Sequence, residues 1–209
     1  AATIAVECKL NSKLRVSGNS IVNPTLNSIY LEDVNDSQIS DNRINSTSIS
    51  ITHIRSTPGT NNDRNDISRN KFNCANTSGN LIILDSAASR YTTICDNDMS
   101  AVTGLANNSK ISNSGTSTYM ARNRLGTNSL AGTFTAAAAA STTVSNDNVA
   151  SAGAITRVTL TPTNAAAATL MSGANSLYLS ARTEGASFAV ATAGGGNAAG
   201  TETFDYELS

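Results

Sequence analysis

Tryptophan is absent from this chain of 209 residues, and histidine occurs only once. Aromatic residues make up 4% of the sequence and charged residues 14%, so no basic run or aromatic platform indicates a nucleic-acid surface. No stretch is apolar enough to span a membrane, and no secretory signal peptide opens the chain. We therefore expect neither a nucleic-acid partner nor insertion into a membrane.

Cysteine is also scarce, and the three cysteines do not form a framework. The spacing of Cys8, Cys74 and Cys95 fits neither a set of disulfides nor a metal-binding cluster. We interpret them as buried thiols of a protein that folds in a reducing cytoplasm. The oxygen-rich segment 61–66 is an alternative calcium site, but it lacks a bidentate Glu and is interpreted as a polar loop. We expect no metal and no cofactor.

The sequence does contain a six-residue motif that occurs six times, which we call the repeated phrase. An apolar residue is followed by a small residue, any residue, a polar anchor, any residue and a second apolar residue. The anchors are separated by 23, 28, 27, 26 and 24 residues, and they are Asn19, Asn42, Asn70, Asn97, Asn123 and Asp147. A repeat of this length is typical of a solenoid, in which each unit is one coil stacked on the next.

The apolar residues around the anchors alternate as they do in strands. Ile4, Val6 and Cys8 show the two-residue period of a strand, and the 3.6-residue period of a helix is missing. The sequence therefore predicts an all-β fold, a right-handed parallel β-helix of about six coils over residues 1–152. Because the first strand begins without a cap, we expect this β-helix to be truncated at its N-terminal end.

The asparagine column predicts a structural ladder. Asn tolerates the left-handed backbone conformation of a sharp corner, and stacked Asn amides can hydrogen-bond to the amides above and below. The predicted ladder residues are Asn19, Asn42, Asn70, Asn97 and Asn123. The residues just before the anchors alternate in charge, so we expect ion pairs between coils; these residues are Asp41, Arg69, Asp96 and Arg122.

The composition changes near residue 150, where Ala, Thr and Gly become dominant. Strand-like alternation appears in four segments, 155–161, 176–181, 187–192 and 202–208, which are separated by Gly-rich loops. The sequence therefore predicts a small antiparallel β module over residues 153–209. We expect this module to serve trimerisation or receptor binding.

A β-helix with an Asn ladder, followed by such a module, resembles the C-terminal part of bacteriophage tailspike proteins. The likeness is also carried by residues 185–188 (GASF) and 199–206 (AGTETFDY), which are similar in style to the ends of phage tail proteins. The resemblance implies a homotrimer on the virion tail that is folded in the host cytoplasm. It also implies that the protein recognises host surface polysaccharide and that the full protein depolymerises it by hydrolysis or elimination.

A gap-free alignment of three strands suggests a catalytic column. Segments 28–33, 48–53 and 80–85 then place Asp33, His53 and Asp85 on adjacent coils. Carboxyl groups two coils apart would lie roughly 9.6 Å apart, close to the separation used by inverting glycosidases. The alternatives are that these side chains cap turns, or that the active site lies outside this chain.

Sugar binding needs aromatic faces and forked hydrogen-bond donors, and the chain offers a few of each. The candidate carbohydrate-binding residues are Tyr30, Arg55, Arg90, Tyr91 and Tyr119. Two further functions stay open besides the tailspike. One is a secreted, monomeric polysaccharide lyase or glycoside hydrolase on the same β-helix, and the other is a structural or adhesive solenoid without enzymatic activity.

Overall fold

A computed structural model describes residues 4–47, 51–57, 61–75, 78–85, 87–106, 110–149, 157–183 and 185–209. The chain divides into two compact units, Ala1–Leu125 and Gly126–Ser209. The predicted boundary between residues 152 and 153 lies outside the described residues. Strands dominate both units, which confirms the all-β prediction.

The first unit is a parallel β-solenoid. Its strands, numbered in chain order, are β1 (Ile4–Ser12), β2 (Arg15–Ser17), β3 (Ser20–Val22), β4 (Asn27–Asn35), β5 (Gln38–Ser40), β6 (Arg43–Ser46), β7 (Ile54–Ser56), β8 (Asp66–Ser68), β9 (Lys71–Cys74), β10 (Ile82–Leu84), β11 (Thr93–Cys95), β12 (Ile111–Asn113) and β13 (Tyr119–Ala121). Sheet A has the order β1-β4-β7-β10-β12, sheet B the order β2-β5-β8-β11-β13 and sheet C the order β3-β6-β9. Neighbouring strands in all three sheets run parallel. Sheets A and B contribute one strand to each of five rungs, and sheet C contributes one strand to each of the first three.

The solenoid has about four turns, which corrects the prediction of six coils. Five copies of the repeated phrase lie in the first unit, and five stacked rungs are separated by four turns. The sixth copy, around Asp147, belongs to the second unit, where Val144 lies in an antiparallel strand opposite Phe188. The sequence pattern continued there, but the parallel pairing did not.

The interior of the solenoid is built from the apolar columns of the repeat. Ile39, Ile67 and Ile94 pair with one another in sheet B, and each is at most 1% exposed. Ile44 and Phe72 form the corresponding pair in sheet C and are fully buried. Branched aliphatic side chains suit this position because they pack well on a pleated surface.

The asparagines of the repeat form a continuous hydrogen-bonded ladder. In each step the Oδ1 atom of one Asn accepts from both the backbone N–H and the Nδ2 of the Asn on the preceding rung. Each Nδ2 after the first rung also donates to a backbone carbonyl of the preceding rung, as Asn70 does to Ile39 at 2.8 Å. Asn42, Asn70 and Asn97 are at most 1% exposed, so these polar groups are buried and satisfied.

The left-handed residue of this corner precedes each asparagine, which corrects the expectation that Asn itself takes that conformation. These residues have φ between 51° and 71°, and they are Gly18, Asp41, Arg69, Asp96 and Arg122. A second left-handed column lies five residues earlier in each rung and consists of Lys13, Asp36, Arg64, Tyr91 and Ser117. Every strand of sheet B therefore runs between two left-handed corners. We interpret this as the reason why the strands of sheet B are only three residues long.

Charged side chains at these corners pair between neighbouring rungs. Arg69 contacts Asp41 through two hydrogen bonds of 2.8 and 3.0 Å, and Arg122 contacts Asp96 through two of 2.7 and 2.9 Å. These arginines hold the pKa of each aspartate below its usual range. Because the pairs are exposed, we expect them to fix register more than to add stability.

The second unit contains two antiparallel sheets and one helix. Its elements are β14 (Ala131–Thr135), β15 (Ser141–Ser145), β16 (Val158–Pro162), α1 (Ala165–Ser172), β17 (Leu177–Thr183), β18 (Ser187–Thr192) and β19 (Thr203–Leu208). The sheets have the orders β14-β19-β16 and β15-β18-β17. Phe134, Phe188, Phe204 and Tyr206 pack together, with ring centroids as close as 5.1 Å between Phe188 and Tyr206.

Helix α1 was not expected from the sequence. Asn164 precedes it, and the Oδ1 of this residue accepts the backbone N–H of Ala167 at 2.8 Å, which is the geometry of an N-cap. Alanines fill the first turn and have the highest helix propensity. Strand-like alternation is missing in this segment, so the N-cap residue and the alanines together would have allowed the helix to be predicted from the sequence.

Candidate functional site

The outer surface of sheet A carries a group of polar side chains that we call the polar face. Along β4, Ile29 and Leu31 point inward and are at most 1% exposed, whereas Tyr30 and Glu32 between them are only partly buried. This alternation follows from the two-residue period of a strand. The polar face consists of Glu7, Lys9, Tyr30, Glu32, Arg55 and Asp85.

The first column of the polar face brings an aromatic ring and a guanidinium together. Tyr30 pairs with Glu7 on the preceding rung and with Arg55 on the following rung. Directly paired residues in neighbouring strands lie about 4.8 Å apart along the solenoid. Two of the five candidate sugar-binding residues, Tyr30 and Arg55, are therefore neighbours on one surface.

The second column of the polar face carries two carboxylates. Lys9 pairs with Glu32, and the backbone N–H of Thr57 donates to the carbonyl of Leu31, which places Thr57 beside Glu32. The N–H of Asp85 donates in turn to the carbonyl of Ser56, so Asp85 follows Thr57. Glu32 and Asp85 are therefore two rungs apart in one column, or roughly 9.6 Å between backbones.

Ion pairs link the charges of the polar face. The Nζ of Lys9 lies 3.0 Å from a Glu7 oxygen and 3.2 Å from a Glu32 oxygen, and these two carboxylates raise the pKa of Lys9. The Nε of Arg55 donates to Asp85 Oδ2 at 2.7 Å. Cations and carboxylates thus alternate beside the Tyr30 ring.

The predicted stack of Asp33, His53 and Asp85 is wrong. Ile29 pairs with Ile54, so His53 lies beside Ser28 and is displaced by five residues from the position beside Asp33. The third coil is longer than the second, with two additional residues before β7 and three between β7 and β8. Residues 48–50 of the aligned segment lie outside the described residues. Asp85 is displaced by one residue, and a shift of one residue exchanges the two faces of a strand.

Asp33 and His53 have separate environments. Asp33 takes a left-handed conformation with φ 54°, and its Oδ1 accepts the backbone N–H of Asn61 at 3.0 Å, as expected of a residue that caps a turn. His53 has no exposed surface, and its Nδ1 lies 2.9 Å from Ser28 Oγ. Burial lowers the pKa of His53 to about 4.

The other three candidate sugar-binding residues lie along sheet B. Tyr91 is a left-handed corner residue with 61% exposure, and Tyr119 on the next rung is 53% exposed. Tyr119 pairs with Thr93, two residues after Tyr91, so the two rings belong to adjacent rungs. Arg90 is held by Asp63 through hydrogen bonds of 2.7 and 3.3 Å. The candidates thus form two groups, one on each sheet.

The described part of the chain offers no arrangement of three or more His, Cys, Asp or Glu side chains that could hold a metal ion. Cys8 and Cys74 are buried free thiols, and burial raises the pKa of Cys74 to about 11. A buried thiol with a raised pKa is a poor nucleophile at neutral pH. Among the described helices, none is long and apolar enough to cross a membrane.

Neither the protein-family models nor the curated protein sequences supply a relative of the chain. No family model matches it, and no curated protein sequence is significantly similar to it. The fold and the polar face must therefore carry the functional argument.

Three residues of the polar face were missed at the sequence level, namely Glu7, Lys9 and Glu32 as members of one surface. The alternation of Val6, Glu7, Cys8 and Lys9 was a usable signal, because it places Glu7 and Lys9 on the outside of β1. Their relation to Glu32 required the register between β1 and β4. That register depends on the length of the connecting coil, which the repeat pattern leaves open.

Proposed function

We propose that the solenoid binds a surface polysaccharide on its polar face and belongs to the C-terminal part of a trimeric phage tailspike. The observation that carries the binding proposal is the pairing of Tyr30 with Arg55 on adjacent rungs, flanked by carboxylates. An aromatic ring offers an apolar face to a sugar ring, and a guanidinium offers forked donors to its hydroxyl or carboxylate groups. A parallel β-solenoid also presents these groups on a rigid scaffold.

Replacing Tyr30 with Ala is expected to weaken binding to the cognate polysaccharide by about 2- to 12-fold, the effect of losing one aromatic contact worth about 0.5–1.5 kcal/mol. Tyr30→Phe keeps the ring and is the matched control, which we expect to retain most of the affinity. Binding is measured by surface plasmon resonance on a panel of immobilised bacterial surface polysaccharides.

Tyr119→Ala removes an exposed ring of sheet B and serves as the second control. If this variant loses binding and Tyr30→Ala retains it, the binding surface is sheet B rather than the polar face. If neither change affects binding, the proposed site is wrong on both sheets.

The trimeric part of the proposal predicts a native mass of three times 21.5 kDa by light scattering after size-exclusion chromatography. Attachment to a virion tail, with folding in the host cytoplasm, follows from the tailspike proposal. A monomeric mass would remove the trimer and favour a secreted, monomeric polysaccharide-degrading enzyme. A trimer without affinity for any polysaccharide in the panel would favour a structural solenoid.

A second candidate function is cleavage of the bound glycan. The observation that favours it is the shared column of Glu32 and Asp85, whose roughly 9.6 Å backbone separation lets the two carboxyl groups approach the 6.5–9.5 Å that inverting hydrolysis needs. Glu32→Gln and Asp85→Asn are each expected to lower the release of reducing ends by at least about 100-fold. Asp33→Asn is the matched control, and we expect it to leave cleavage unchanged. If Glu32→Gln and Asp85→Asn cleave at the rate of the unmodified protein, this column is not catalytic.

A further inference from the structure

The two outward columns of sheet A continue past the polar face with uncharged residues. Ile83 pairs with Arg55, and Ser112 pairs with Ile83 on the next rung. The backbone N–H of Ser114 donates to the carbonyl just before Asp85, which places Ser114 beside Asp85. Ile83 and Ser112 are partly buried, and Ser114 is exposed. The outward surface of sheet A therefore combines the charges of the polar face with hydroxyl groups and an aliphatic side chain.

The cations of this surface are already engaged by its carboxylates. The Nζ of Lys9 lies within 3.2 Å of both Glu7 and Glu32. The Nε of Arg55 donates to Asp85 at 2.7 Å. Three carboxylates and two cations leave a net charge of −1 on the polar face. A sugar carboxylate would have to displace a protein carboxylate from Lys9 or Arg55, and the displaced group would then repel it.

Neutral sugar rings match this surface better than charged ones. A sugar hydroxyl both donates and accepts hydrogen bonds, so it fits beside carboxylates, which only accept, and beside cations, which only donate. The side chains of Glu32 and Asp85 remain 34% and 22% exposed, which leaves their oxygens accessible to hydroxyl donors. In the other column, Tyr30 and Ile83 offer apolar surface to the C–H face of a ring.

We propose that the polysaccharide bound by the polar face is a polymer of neutral sugars, which is recognised by its hydroxyl groups and ring faces. This inference rests on the proposed function, because it takes the polar face as the binding surface. A polymer of uronic or sialic acids would meet the carboxylates of the polar face. A polymer of positively charged amino sugars would have to compete with Lys9 and Arg55 for those same carboxylates.

The first experiment divides the immobilised polysaccharides by charge into neutral polymers such as mannan, acidic polymers such as polygalacturonate and cationic polymers such as chitosan. Surface plasmon resonance with the unmodified protein is recorded from about 0.05 to about 0.5 M NaCl, because salt screens exposed charges. We expect the tightest binding to a neutral polymer, with a dissociation constant that changes by less than about twofold over this range.

The other outcomes separate the inference from the proposed function. Tightest binding to an acidic or cationic polymer, weakened by salt and by Tyr30→Ala, would overturn the inference and leave the binding function of the polar face standing. Binding to none of the three classes would overturn the proposed function, and the inference with it.

A charge variant tests the inference on the residues of the polar face. Asp85→Asn keeps the size of the side chain and removes the carboxylate that holds Arg55. We expect this variant to bind polygalacturonate about 2- to 5-fold more tightly than the unmodified protein does, the effect of one released exposed cation.

Asp41→Asn is the matched control for this variant, since it changes the net charge equally and releases Arg69 at a corner of the solenoid. We expect this control to bind polygalacturonate as weakly as the unmodified protein does. An equal gain in both variants, or no gain in Asp85→Asn, would overturn the inference, because the pairing of Arg55 would then not be what excludes acidic sugars.

Discussion

Replacing Asn70 with Ala is expected to lower the free energy of unfolding by roughly 3–5 kcal/mol, through lost hydrogen bonds and buried groups left unsatisfied. The Asn70 side chain donates to Asn97 Oδ1 and to the Ile39 carbonyl, and it accepts from two N–H groups of Asn42. All of these groups are buried, so water cannot replace the lost partner. Urea unfolding measures the change against a total stability that is typically about 5–15 kcal/mol.

Asn19→Ala is the matched control for this experiment. Asn19 occupies the same column, but it is exposed, and within the described residues its side chain bonds only to Asn42 Oδ1 and its own neighbour Ser17. We expect this change to cost about 1 kcal/mol, the usual net value of one hydrogen bond. Equal losses for the two variants would show that the buried amide contacts are not what stabilises the corner.

The protein is expected to lose about 3 kcal/mol of stability as the pH falls from 6.5 to 4, because His53 resists protonation in the fold. Burial lowers the pKa of His53 from 6.5 to about 4. Between these values the unfolded chain binds a proton that the folded protein excludes, so acid favours unfolding. The stabilisation is therefore complete above pH 6.5 and is lost by about pH 4.

His53→Gln is the control, since Gln does not titrate and can still hydrogen-bond to Ser28. Whatever its absolute stability, this variant is expected to show a nearly flat profile between pH 6.5 and 4.5. The aspartates with lowered pKa values, such as Asp41 and Asp96, lose their contribution only below about 3.8. A profile in this window with the same slope in both proteins would mean that His53 is not the titrating group. Chemical denaturation at a series of pH values provides the measurement.

The fold of the first unit was predictable because the repeated phrase contains the residues whose side chains face the core in each rung. The inward apolar column and the Asn column recur with every rung, and both leave a direct trace in the sequence. The end of the solenoid was harder to locate, because Val144 and Asp147 imitate the phrase, whereas Val144 lies in a strand that pairs antiparallel with β18 and Asp147 lies in the turn after that strand. A local pattern indicates the strand, whereas the choice of partner depends on residues far along the chain, such as Phe188.

The candidate site was only partly predictable, and register is the reason. Tyr30 and Arg55 were chosen for their chemistry, and the pairing of β4 with β7 made them neighbours. His53 was assigned to the wrong position because residues 48–53 resemble β4 in sequence, whereas the strand that pairs with β4 begins only at Ile54. Coil lengths vary from rung to rung, and a gap-free alignment cannot show where in a longer coil the additional residues are inserted.

The ladder also has a metric consequence. Successive ladder asparagines are 23, 28, 27 and 26 residues apart in sequence, yet each step is closed by the same pair of amide hydrogen bonds. The axial distance between rungs is thus independent of how much chain each rung contains. The loops between the strands can therefore lengthen or shorten without changing the spacing of the rungs along the solenoid axis. A long polymer lying along the solenoid would meet outward side chains at this fixed spacing. Substituting a single outward residue would change the contact at one rung and leave the spacing unaltered.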